Sequence, residues 1–60
     1  ELLELVIALP TKLKAPIYLY YYEGYSVLEI SNILKLSQSA VKMRLKRARQ
    51  KLKLELEKPQ

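Results

Sequence analysis

Between Val41 and Leu52 the apolar residues Val41, Leu45, Ala48 and Leu52 recur at spacings of four, three and four. An α-helix places such residues in one line along its axis, whereas a strand would scatter them over both faces. Seven of the chain's eleven basic residues lie from Lys42 to Lys53 in the same stretch, and no Asp or Glu occurs from Ile30 to Leu54. The segment SQSAVKMRLKRARQKLK, Ser37 to Lys53, is therefore a helix with an apolar back and a cationic front. The rest of the chain has to cover the back and leave the front available.

Sixty residues suit one small domain, and an apolar half is enough for a modest core with a stability of a few kcal/mol. The net charge of +5, concentrated in the last third, points to a polyanionic partner. Cys and His are both absent, which removes disulfides, thiolate metal sites and the commonest general base. With no Gly-rich phosphate loop and no clustered carboxylates either, the sequence does not read as an enzyme, and it implies no cofactor and no metal. No apolar run approaches the roughly 18 residues of a membrane span. The chain starts without Met or a signal-like stretch, as expected of a domain excised from a cytoplasmic protein.

The punctuation predicts an all-α fold of four helices, at about 1–8, 11–23, 27–35 and 38–57, forming one domain over 1–60. Glu1 and Glu4 suit the first turn of the first helix, and its Leu2, Leu5, Val6 and Leu9 share one face while Leu3 and Ile7 lie on another. A helix so widely apolar is expected either to fray or to dock on something else. Pro10 fits the first position of the second helix. Pro16 inside that helix should bend it or delay its regular start. Leu13, Ile17, Leu19, Tyr20 and Tyr21 are its expected core residues. Gly24 fits a left-handed cap, with Tyr25 folding back as its hydrophobic contact. Ser26 with Glu29 makes a capping box for the third helix, whose Val27, Ile30, Ile33 and Leu34 should face inward. Lys35 and Leu36 form the turn, Ser37 caps the fourth helix and Pro59 stops it.

A short helix, a tight turn and a longer helix match the helix-turn-helix pattern, with Ile30, Leu34, Leu36, Val41 and Leu45 setting the angle between the two. At about 100° per residue from Val41, Ser39, Met43, Lys46 and Gln50 point away from the core, flanked by Lys42, Arg47, Arg49 and Lys53. Polar readers at the centre with cations on both sides suit a DNA major groove, where the centre meets base edges and the flanks meet phosphates. A solvated basic face is the usual reading of a charge run. An acid-free run that also follows a helix-turn-helix turn and lacks Glu–Lys pairing argues against it here. A membrane-surface helix would need large outward apolar residues, and Met43 and Leu54 alone qualify, so no membrane partner is expected.

These residues resemble region 4 of bacterial sigma-70 family sigma factors, especially the extracytoplasmic-function group. The likeness runs from Leu9 to Lys53 through LP–K at Leu9 to Lys12, LYYYEGYS at Leu19 to Ser26, EI at Glu29 and Ile30, and AVKMRLKRAR at Ala40 to Arg49. The LuxR-type response-regulator helix-turn-helix shares S–EI and VK at this spacing but usually lacks RLKRAR, and it stands as the alternative, beside a basic protein-interaction module. The resemblance implies a three-helix core without a wing that binds the −35 promoter element. It also implies docking on the RNA polymerase core through the β-flap and masking by an anti-sigma factor, all in the cytoplasm. By position it assigns Lys42, Met43, Lys46 and Arg47 to bases or nearby phosphates, with Ser39 at the helix start. Ser37, Arg49 and Lys53 complete the expected DNA-binding set, and Arg44 and Arg49 match arginines that hold the backbone or a neighbouring helix. The apolar surfaces of the first two helices become the polymerase or anti-sigma contacts. Three positions depart from the family pattern. Ser31 replaces the usual Ala, with its hydroxyl expected to bond to the Val27 carbonyl. Lys35 replaces the turn Gly, and Lys14 replaces a frequent Arg.

Overall fold

The computed structural model describes residues 2–58. Four helices follow one another, α1 (Leu2–Ile7), α2 (Thr11–Tyr21), α3 (Val27–Leu34) and α4 (Gln38–Leu56), and no strand occurs among the described residues. The helix expected to start at Glu1 and the stop assigned to Pro59 concern residues outside those described.

Helix α4, 19 residues and therefore about 28 Å long, is the pillar against which α1, α2 and α3 all pack. Val41, Leu45, Ala48 and Leu52 are its buried residues, and they make up half of the buried apolar core. Val6 and Leu9 from the first segment, Ile17 from α2 and Ile30 from α3 complete that core. Leu5, Leu13, Leu19, Val27, Leu34 and Leu36 lie half-buried around it. The last turn of α4, beyond Leu52, carries the exposed Leu54 and Leu56.

Each helix boundary has a local cause. Pro10 stands at the N-cap of α2 (φ −54°, ψ 147°) rather than at the first helical position, and its carbonyl accepts from the amides of Leu13 and Lys14. The extended ψ of the capping residue suits a proline's fixed φ without asking it to join the helix. Helix α2 runs through Pro16 and ends at Tyr21, short of the expected Glu23. The amides of Tyr22 and Glu23 both turn to the Tyr18 carbonyl, and Gly24 takes φ 77°. Ser26 then caps α3 with both halves of the capping box: its Oγ accepts from the Glu29 amide at 3.1 Å, and Glu29 Oε1 accepts from the Ser26 amide at 2.8 Å. Lys35 closes α3 in the left-handed region at φ 58° and ψ 47°.

Three expectations about the core are corrected. Ile33 is 49% exposed, and Ser31 is buried instead. Val27, Ile30, Ser31 and Leu34 fall at i, i+3, i+4 and i+7, and Ile33 lies about 110° away from the centre of that line. The Ser31 hydroxyl donates to the Leu28 carbonyl at 2.7 Å, one residue later than the Val27 carbonyl expected of it. The shorter i−3 reach satisfies the hydroxyl inside the helix's own turn, so a buried serine is left without an orphan polar atom. Tyr20 and Tyr21 are exposed rather than core residues, while Pro16 is buried beside Ile17. The last turn of α2 reaches the edge of the core, where the two tyrosine rings meet edge to face with centroids 5.0 Å apart. Both residues stay partly in water, as amphipathic side chains do.

Candidate nucleic-acid interface

The helix-turn-helix unit is α3, the Lys35–Ser37 turn and α4. Ser37 fixes where α4 begins: its Oγ accepts from the Ala40 amide at 3.1 Å. The cap occupies the hydroxyl oxygen as an acceptor and leaves the O–H proton free to donate to an anion. From there the buried stripe sets the rotation of the helix about its axis. With Val41, Leu45, Ala48 and Leu52 against the core, the opposite side has no choice but to face outward.

The structure brings all eight proposed DNA-contacting residues to the surface of one unit. Ser37, Ser39, Lys42, Met43, Lys46, Arg47, Arg49 and Lys53 are each exposed, as is Gln50. Ser39, Met43 and Gln50 run down the middle of the outward face. Lys42, Lys46, Arg49 and Lys53, at i, i+4, i+7 and i+11, form a cationic edge on one side. Arg47 and Lys51 lie on the other side, and Arg44 is half-buried at the boundary with the core. Among the described residues the ion pair that forms, Lys58 Nζ to Glu55 Oε2 at 3.0 Å, lies beyond the basic run. Six of the seven cations from Lys42 to Lys53 are therefore exposed, and none of the seven has a carboxylate partner among the described residues. Such a surface holds a high positive potential that only an external anion relieves.

One contact was legible only in part, since the resemblance gave Arg49 the backbone or a neighbouring helix without naming a partner. Arg49 Nη1 donates to the Tyr21 Oη at 3.2 Å, tying α2 to the cationic edge of α4 across 28 residues. Periodicity assigned Tyr21 to the core, and no local signal links it to an arginine on another helix. Beside this bond opens an apolar groove of about 650 Å³, lined by Leu2, Val6, Ile17, Tyr22, Leu52 and Leu56. Arg49, Lys53 and Glu57 also line it, so the groove is continuous with the basic edge. A smaller hollow, lined in part by Ile7, Tyr18 and Leu19, lies between α1 and α2. Tyr18, which lines it, stacks on Tyr22 with ring centroids 5.1 Å apart.

Among the described residues no group of His, Cys, Asp or Glu could hold a metal ion, and no helix is long and apolar enough to cross a membrane. The family model described as sigma-70, region 4 matches residues 1–52. No curated protein and no solved structure matches.

Proposed function

This chain belongs to the sigma-70 region 4 family, a family of DNA-binding rather than catalytic domains, and on that premise we propose what its surfaces do. Helix α4 enters the major groove of the −35 promoter element. Ser39, Met43 and Lys46 meet base edges there, while Lys42, Arg47, Arg49 and Lys53 hold phosphates on either side. Ser37 offers its free O–H, and the first turn of α4 its amides, to one more phosphate. The observation that carries this reading is the six exposed cations without a carboxylate partner around a polar strip, fixed outward by the buried stripe behind them.

The same reading assigns the apolar side to protein partners. The groove between α1, α2 and α4 and the tyrosine-rich end of α2 are the surfaces for the β-flap of RNA polymerase core, and for an anti-sigma factor when the domain is masked. The sequence block from LYYYEGYS to RLKRAR supports the extracytoplasmic-function type, working on the nucleoid in the cytoplasm.

Selection of duplexes from a randomised pool tests the proposal. The chain is expected to enrich one short motif, to bind it more tightly than its scramble, and to lose affinity for both steeply as salt rises through counterion release. Negligible affinity for every duplex at low salt, with retained binding to polymerase, would instead make α4 a protein-docking surface.

A further inference from the structure

We infer that Tyr21 is a positioning residue for DNA binding, acting on the phosphate-facing edge of α4 through Arg49; the inference rests on the DNA reading of α4 given above. Arg49 shares that edge with Lys42 and Lys53, and of the three it is rotated furthest toward the core, about 80° from Val41. Left to itself, an exposed arginine there samples many rotamers and loses that freedom when it grips a phosphate. The Tyr21 hydroxyl removes part of the cost in advance by accepting from Nη1 at 3.2 Å. This side-chain hydrogen bond joins two helices, α2 and α4. Tyr21 can hold this position because its ring packs edge to face on Tyr20 at 5.0 Å, although it is itself 55% exposed.

The chemistry of the pair suits a phosphate oxygen rather than a closed internal contact. A guanidinium carries five N–H donors, and the bond to Tyr21 uses one of them. The tyrosine accepts in that bond and acts on the anion only through the guanidinium, whose other N–H donors stay free. Lys53, one turn further along α4 and lining the same groove, adds a second donor group. Helix α2 thereby extends the basic edge beyond the helix-turn-helix unit, and its contribution is to a backbone contact that carries no base information.

A double-mutant cycle on the 60-residue chain tests this, with a short random-sequence DNA duplex at low salt as the probe. Tyr21→Phe keeps the ring and removes the acceptor. It is expected to weaken binding roughly three- to tenfold, with the melting temperature unchanged. Arg49→Ala is expected to weaken binding more and to lower the salt slope by about one phosphate contact. In the Arg49→Ala background, Tyr21→Phe should add no further loss. Unchanged or tighter binding by Tyr21→Phe alone, or an equal loss with and without Arg49, would overturn the inference while leaving the DNA reading intact. A wild-type chain with no affinity for the duplex would overturn the DNA reading itself, and the inference with it.

Discussion

Leu36 donates its backbone N–H to the carbonyl of Ser31 at 2.9 Å, closing α3 over a Lys35 held in the left-handed region. This six-to-one bond is the signature of a Schellman ending, a place where glycine is the usual left-handed residue. The half-buried Leu36 supplies the hydrophobic contact that accompanies such an ending. A side chain with a Cβ in that conformation costs roughly 1 kcal/mol. Lys35→Gly is therefore expected to stabilise the domain by about 0.5 to 1 kcal/mol, or several degrees in melting temperature for a chain this short. A calorimetric scan showing an equal or lower melting temperature would contradict the strain at Lys35.

Ser26 and Ser37 each satisfy an amide of the first turn that follows them. Ser26→Ala and Ser37→Ala should each lower stability by about 1 kcal/mol, and Ser37→Gly by a few tenths. Urea unfolding of the four chains measures this. A Ser37→Gly loss as large as that of Ser37→Ala would mean that the hydroxyl alone sets the start of α4, with no help from the backbone freedom of glycine.

Ile30 and Ile33 sit three residues apart and differ completely in surroundings, fully buried against half-exposed. Ile30→Ala is expected to cost about 2 to 5 kcal/mol, enough to unfold a domain whose total stability is of that order. Ile33→Ala should stay within about 0.5 kcal/mol. Circular dichroism at 25 °C separates the two outcomes, and a folded Ile30→Ala would show that α3 is not a structural part of the core.

Ser31 buries a hydroxyl whose one hydrogen bond is to its own helix. Back-bonding of this kind adds little and competes with the helix ladder, while alanine is the better helix former. Ser31→Ala should leave stability unchanged or raise it by up to roughly 0.5 kcal/mol. A clear loss in thermal unfolding would assign the hydroxyl a partner beyond Leu28.

Met43 and Lys53 should leave opposite signatures in DNA binding. Met43, on the middle of the outward face, has apolar reach toward a base edge, so Met43→Ala is expected to shrink the preference for the selected motif at an unchanged salt slope. Lys53→Ala should weaken motif and scramble equally and lower the slope by about one. Exchange of these two patterns would place the base-reading strip on the wrong side of α4.

What could be read from the sequence is what short-range geometry determines. The stripe Val41, Leu45, Ala48 and Leu52, the caps Ser26 and Ser37, and the left-handed Gly24 each depend on a handful of adjacent residues. Periods and caps expose such features directly. Errors arose where hydrophobicity stood in for position. Ile33 is apolar but lies off the line that Ser31 shares with Ile30, so a small polar residue took the buried place. The tyrosines of α2 supplied too much ring for the space available, and which of them reached water was decided by neighbours far along the chain. The Tyr21–Arg49 bond and the groove beside it belong wholly to the tertiary arrangement. The family likeness supplied the −35 element and polymerase, which no residue of the chain states by itself.

Half of the buried core belongs to α4, the same helix proposed to lie in the groove of DNA. A partner that binds only the folded chain adds its binding free energy to folding, about 2.7 kcal/mol at a hundredfold excess over Kd. For a domain with a few kcal/mol in hand, occupancy of the cationic face and survival of the fold become a single equilibrium. The domain released from its partner is then the form most open to proteolysis, so dissociation also sets how long the free chain persists.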